Sequence, residues 1–491
     1  MFKLALLVLC TIQIATALPR PDFGINVQVF GSQHTAITAR DTRTLVGKVN
    51  QNLDIVLTSG YPLLDTIKTQ LLGIANNFSN KGFFVTQALD LLATSTGQLN
   101  SAFGSFEVAA GNLITLVNTG LDAYYTVLDT NLDDSISTMV KDALVDVTAE
   151  LTKLGGLLST LKTQVQAAVT AAGSNAPSKA ILRKYVSTTL TSDVAKSAIS
   201  LKALIPLVTY ILANSIDNIK LADDYIVEAG TVAEDALLKV SQGQEALEAE
   251  IQLYTDGTNE VAVLVGPTAQ ANLDLSGLDT SGIPLIESEI NEYKETYTTV
   301  LTNTIAAIQA TYITYKTSVP FVSDGLTAFY SESACDHLYR LVKVVISNGV
   351  YADYCYNKYS PRTFGLFYEQ AREANRCVDQ EITRLIKLEQ VVLTIAKLLV
   401  FSVEDVLAQV TICVKTPAQC NVAPLELAFH KVHQAMVGHQ TTMQNIVAAE
   451  TVAGLNRLKA CFTTSKYLLV IATNAMVGEI NKCEIYGPNA A

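Results

Sequence analysis

The sequence predicts an all-α protein: an elongated helical-bundle or coiled-coil-like N-terminal part followed by a disulfide-stabilised helical C-terminal domain. Three observations carry that prediction. Apolar residues recur at alternating steps of three and four, which places them on one stripe of a helix. Hydrophobic residues make up 49% of the chain and charged ones only 16%, against roughly 25% charged in an average soluble domain. Such helices must bury much of their surface against one another, a partner chain or lipid. Finally, seven cysteines crowd the last third of a chain that opens with a secretion signal.

The signal is read from the first residues. Lys3 gives the positive start, Leu4 to Ile14 the apolar stretch, and Ala15-Thr16-Ala17 a small-x-small cleavage site, with Pro19 just beyond. Cleavage is expected after Ala17, so residues 1–17 leave, and Cys10 with them. A membrane anchor needs about 18 or more apolar residues, and this run is shorter. The division that follows is a helical region over 18–325 and a cysteine-containing helical domain over 326–491.

In the first region four apolar stripes stand out. They run from Leu64 through Ile67, Leu71 and Ile74 to Phe78, and from Val140 through Leu144, Val147, Leu151, Leu154, Leu158 and Leu161 to Val165. A third, rich in small residues, goes from Ile219 through Ala222, Ala229, Ala236 and Gly243 to Leu247. The fourth holds Ile290, Tyr293, Tyr297, Leu301, Ile305, Ile308, Tyr312 and Tyr315. Breaks are expected at Gly60-Tyr61-Pro62, at Gly173 to Pro177, between Asp256 and Pro284, and at Pro320 to Gly325. An intramolecular bundle is favoured over an extended oligomeric rod because short loops favour antiparallel packing. Outward Thr and Ser lower helix propensity, so frayed or kinked helices are expected where they cluster.

The second region continues the pattern with Leu385, Leu388, Val392, Ile395 and Leu399, and Thr416-Pro417 should turn the chain. The apolar runs Ala203 to Ile216, which carries Pro206, and Val391 to Val403, which carries Lys397, are short and read as buried helices. The chain ends in Tyr486-Gly487-Pro488-Asn489-Ala490-Ala491 and lacks the hydrophobic tail of a lipid-anchor signal, so a released, extracellular protein is expected.

Cysteine placement agrees with secretion. Cys335, Cys355, Cys377, Cys413, Cys420, Cys461 and Cys483 allow three bridges and one thiol left over, which is either buried or bonded to a second chain. The pairing stays open. No Cys-x-x-Cys pair exists, which argues against zinc. Charge is uneven: residues 1–330 hold 19 basic and 32 acidic residues (net −13), residues 331–491 hold 15 and 14 (net +1). With an overall −12 and no basic stripe, nucleic acid is not an expected partner.

One resemblance arises here. The run Ala374-Asn375-Arg376-Cys377, the close pair Cys413 and Cys420, and the late Cys461 and Cys483 resemble the TsetseEP-type domain, a cysteine-bearing helical module of secreted insect proteins. The likeness spans about Cys335 to Cys483. That family often has a further cysteine between the close pair and the last two, and none lies between Cys420 and Cys461, so no disulfide pairing is carried over. The resemblance implies a secreted insect protein, and the family brings no established catalytic activity.

Motifs for chemistry are sparse. His430 and His433 share a helical face, as two ligands would, but His439 falls half a turn out of phase and no His-Glu-x-x-His order exists. No metal and no cofactor are expected. The nucleophile elbow, the phosphate loop and the dinucleotide turn are all missing. Asp133-Asp134 and Asp223-Asp224 read as solvated faces or helix ends. One sequon, Asn77-Phe78-Ser79, is a glycosylation candidate, occupied or unoccupied with about equal weight. The favoured function is a non-enzymatic extracellular interaction or structural protein, compatible with gut or immune settings, whose partner is an extracellular protein, a surface or a second copy. The alternative is an amphipathic-helix carrier of lipid or another small hydrophobe, although its acidic, Thr-rich helices lack the Lys/Arg-lined polar face of surface-seeking ones.

Overall fold

The computed structural model describes residues 22–95, 99–132, 135–273, 284–333 and 335–490; those at 258–273, 284–286, 292–298, 326–333, 335–337, 414 and 417 are described as backbone only. The signal segment 1–17 and Asp133-Asp134 lie outside the described residues. Among these residues there is no strand, only an isolated bridge between Asp22 and Ile25. The helices are α1 (Ser32–Val46), α2 (Pro62–Thr94), α3 (Leu99–Thr115), α4 (Asp122–Asn131), α5 (Ser135–Ala172), α6 (Lys179–Tyr185), α7 (Thr188–Leu273), α8 (Pro284–Ser333), α9 (Cys335–Ile346), α10 (Ala352–Lys415) and α11 (Val422–Tyr486). A π-helical turn, Leu116–Gly120, follows α3.

The chain divides into two compact units. Unit 1 holds residues up to Glu228 together with Tyr339–Ser360 and Glu479–Ala491, and unit 2 holds Ala229–Leu338 and Pro361–Gly478. These units cut across the boundary expected at 325/326. Charge and cysteine content change there, but packing does not: α10 and α11 each supply residues to both units.

In unit 1, α2 starts at Pro62, whose fixed φ suits a first helical turn and whose missing N–H would have had no partner there. Its stripe Leu64, Ile67, Leu71, Ile74 and Phe78 is fully buried, and so is the whole α5 stripe from Val140 to Val165. The expected break at 60–62 ends where α2 begins, and the one at 173–177 falls between α5 and α6. At roughly 1.5–3 kcal/mol for each fully buried Val, Leu, Ile or Phe, these two stripes are the main apolar reason that α2 and α5 stay helical. Around them α1 packs on α2, α2 on α3 and α4, and α3 and α6 on α5.

Unit 2 is built from the later part of α7, α8, α10 and α11, all of which contribute to one apolar core. Leu247, Ile308, Tyr312, Leu385, Val392 and Val447 lie within it. The fourth predicted stripe is buried at Ile290, Leu301, Ile308, Tyr312 and Tyr315, while Tyr293 and Tyr297 lie outside the described side chains.

Within the break expected between Asp256 and Pro284, α7 continues to Leu273 and α8 begins at Pro284. The break expected at Pro320 to Gly325 is not one, since α8 runs through both to Ser333. Gly257 sits where a Cβ would meet the Glu389 carboxylate of α10 at 3.2 Å, so the helix gains a close approach there in place of a turn. An interior proline costs about 3 kcal/mol. Burial of the neighbouring Val319 in the core offsets that cost. Nor do the Thr-rich faces interrupt helices. Thr311, Thr314 and Thr317 each donate to the carbonyl four residues earlier, at 2.9, 2.8 and 3.1 Å.

The Ala203–Ile216 run lies within α7, with Ile205, Val208, Leu212 and Ile216 buried but Leu207 and Tyr210 exposed. The segment Thr188–Gly257 is long and apolar enough, by length and composition, to cross a membrane, and a third of its most apolar window is buried. A core helix with one buried face has the same composition.

Candidate functional site

The cysteines left unpaired in the sequence reading resolve into three bridges. Cys355–Cys483 lies in unit 1, with Cα atoms 5.9 Å apart. Cys377–Cys461, also 5.9 Å, joins α10 to α11 in unit 2, and Cys413–Cys420, 4.9 Å, closes the turn between those helices. That turn, expected at Thr416-Pro417, is a 3-10 turn over Pro417–Gln419. The Cys335 side chain lies outside the described residues. Spacing alone could not select these pairs, because a bridge between long helices depends on register, which no local pattern encodes.

The polar interior of unit 2 is organised by α10. Glu381 is 2% exposed, and its carboxylate accepts from Nη2 and Nε of Arg457 on α11, at 2.8 and 3.1 Å, and from Arg384 at 3.2 Å. Arg457 also reaches Glu450 at 2.6 Å. The hydrogen bonds to Glu381 hold the Arg457 guanidinium protonated even more firmly than usual, against the opposing effect of burial. Room for the carboxylate comes from Gly454, since a Cβ there would run into Glu381 and the Tyr315 hydroxyl. Two turns along α10, Glu389 faces Gly257 and lies 3.5 Å from the Tyr312 hydroxyl. Burial, with Glu389 beside it, pushes the Tyr312 phenol well above its ordinary range. A third polar residue of α10, Asn375, sits against Gly243 of the small-residue stripe read from the sequence. Polar side chain opposite glycine thus recurs three times along α10. Chemically the arrangement braces helices: the Glu381 carboxylate meets two guanidinium groups and the Glu389 carboxylate a phenol.

Unit 1 has its own anchor. Asp223, expected on a solvated face with Asp224, is buried instead. Its carboxylate accepts from the backbone N–H groups of Thr58 and Ser59, at 2.8 and 2.9 Å, and from the Thr58 hydroxyl at 3.0 Å. Burial raises the carboxyl, but the hydrogen bonds from Ser59 and Thr58 outweigh it and the net shift is downward. Asp224 is exposed and pairs with Lys220. The reading of a twin carboxylate therefore holds for only one of the two. The signal that separates them is helical phase, since Asp223 follows Ala222 of the buried stripe and faces the loop that enters α2.

Among the described residues no group of three metal-ligating side chains exists. Exposed His430 pairs with Gln434 across 3.1 Å. At the sequon, the Asn77 amide donates to the Gly73 carbonyl at 2.8 Å and to the Tyr124 hydroxyl at 3.1 Å, while Ser79 is buried and donates to the Val46 carbonyl. A glycan would replace one of those amide hydrogens. Mass analysis of the peptide spanning Asn77, from protein secreted by insect cells, should therefore return its unmodified mass. Full occupancy would refute this.

One surface feature was not read from the sequence. The outer side of α10 exposes Val391, Leu398, Phe401 and Ile412, with Phe401 at 63%. These residues follow one another at steps of seven, three and eleven, a second stripe turned away from the buried Leu385–Leu388–Val392–Leu399 one. The periodicity was visible, but a helix apolar on two sides is ambiguous until one side finds its core. No protein-family model matches the chain, and no curated protein matches it.

Proposed function

We propose that this protein is a secreted, non-catalytic extracellular interaction protein, its helices tied by disulfides within each unit and its second α10 stripe presented to a helical partner. The exposed stripe of Val391, Leu398, Phe401 and Ile412 carries this reading. Heptad-like spacing is what a packing helix requires, and aligned exposed apolar side chains mark interaction surfaces. Secretion is supported by the three bridges, which persist in oxidising compartments, and by the leader read from the sequence. The interior carboxylates support a non-catalytic role because their hydrogen-bonding capacity is spent on bracing helices. The resemblance to the TsetseEP-type domain places the proposal among secreted insect proteins, with gut and immune settings as contexts to examine.

A lipid carrier is the competing reading, favoured by the apolar segment Thr188–Gly257. Vesicle flotation with phosphatidylserine-containing liposomes separates the two. The expected result is protein left in the dense fraction with unchanged helical circular dichroism, since a net charge of −12 opposes anionic membranes. Avid flotation with a gain in helicity would replace the interaction reading with the carrier one.

A further inference from the structure

Unit 1 contains a cleft of about 670 Å³ between the segment leading into α1, the helix α6 and the first turn of α7. That volume falls within the roughly 300–1,000 Å³ of small-ligand sites. Its floor is apolar and buried, formed by Val29, Leu182 and Val186. Phe30 and Ile37 extend the apolar surface to the mouth, where they stay exposed. Lys179 and Arg183 stand on the same wall, one helical turn apart on α6, with His34 opposite on α1.

The cleft is built, not a gap between mobile ends. Asp22 is buried and accepts from the Val29 N–H at 2.9 Å and the Ser32 hydroxyl at 2.6 Å, which fixes the segment before α1. Gly31 turns the chain with φ +85° and comes so close to α7 that a Cβ would lie 3.3 Å from the Thr191 carbonyl. On the other wall, Ser178 caps α6 through the Ile181 N–H.

Charge gives the cleft its selectivity. Unit 1 carries acidic and basic side chains in near balance, 21 against 20, yet no Asp or Glu lines this site. Lys179 and Arg183 form no ion pair among the described residues. Arg183 suits the last turn of α6, where the helix dipole favours a cation. Lys179 has no such excuse, because it is the first residue of α6, where that dipole disfavours a positive charge. Two cations held over an apolar floor, with no acidic side chain on the lining, match a ligand with an apolar body and an anionic head.

We propose that this cleft is a binding site for a small amphipathic carboxylate, its head met by Lys179 and Arg183 and its chain laid on Val29, Leu182 and Val186. The site goes beyond the partner-binding reading and requires nothing of α10. Calorimetric titration of the full secreted chain with decanoate, below its micelle concentration, tests it. One decanoate per chain is expected, with decyltrimethylammonium at least about tenfold weaker. The variant Lys179→Glu/Arg183→Glu should lose decanoate affinity at least about tenfold and keep its thermal midpoint, because both side chains are exposed. Absence of saturable decanoate binding would overturn the proposal. Equal affinity for the cationic amphiphile, or unchanged affinity in the folded variant, would overturn it too.

Discussion

Removing the Cys355–Cys483 bridge by paired alanine substitution should cost unit 1 about 5 kcal/mol, and removing Cys377–Cys461 should cost unit 2 about 4.5 kcal/mol, whereas removing Cys413–Cys420 should cost only about 2.5 kcal/mol. The ranking follows from the length of chain each bridge closes: 128, 84 and 7 residues. A cross-link restricts the unfolded chain by an amount that grows with the logarithm of loop length. Cys355, Cys377 and Cys483 of the long bridges are also buried, so alanine there leaves a small void that adds to the loss. The short bridge ties a turn that the helix ends already bring together. Hydrogen exchange read by mass spectrometry suits the measurement, since the chain has no tryptophan and the two units must be followed separately. If the seven-residue bridge proved the most costly to remove, loop entropy would not be the source of the stabilisation.

The bridges also show how much of this fold was legible beforehand. Helical content and the buried faces of α2 and α5 follow directly from apolar residues three and four apart, because that spacing leaves only one side of a helix able to shed water. The continuation of α8 through Pro320 did not follow. There the local preference for a break is outweighed by side chains far away in sequence, those of the core around Val319. The same distance hides the polar ladder of α10. Asn375, Glu381 and Glu389 look like ordinary surface residues in the sequence, and only the glycines facing them reveal that they point inward. Cysteine pairing and the division into units depend on that register as well. The α6 cleft has a different origin: its two cations share one short helix while its floor is completed by the segment before α1, far away in sequence, with no motif to announce them.

The ladder yields the second large effect, and its direction depends on which partner is removed. Arg457→Met should destabilise unit 2 by about 3 kcal/mol, because it leaves the buried Glu381 carboxylate with only the half-exposed Arg384 as a cationic partner. Glu381→Met should cost less, about 1 kcal/mol. Arg457 is 31% exposed, so without Glu381 it can keep Glu450 and turn toward water. A methionine at 381 would occupy the space that Gly454 leaves open, and apolar replacements of buried ion pairs are often close to neutral. The double variant Glu381→Met/Arg457→Met should therefore be more stable than Arg457→Met alone, with a coupling of about 2 kcal/mol in the double-mutant cycle. Urea unfolding of the four proteins, followed by hydrogen exchange in unit 2, gives all the terms. An Arg457→Met cost no greater than that of Glu381→Met would mean that the carboxylate is solvated on opening and that the pair does not fix the register of α10 on α11. A rescued double variant would show that the cost lies in stranding a charge, and that the glycine opposite Glu381 serves to admit the carboxylate between two helices.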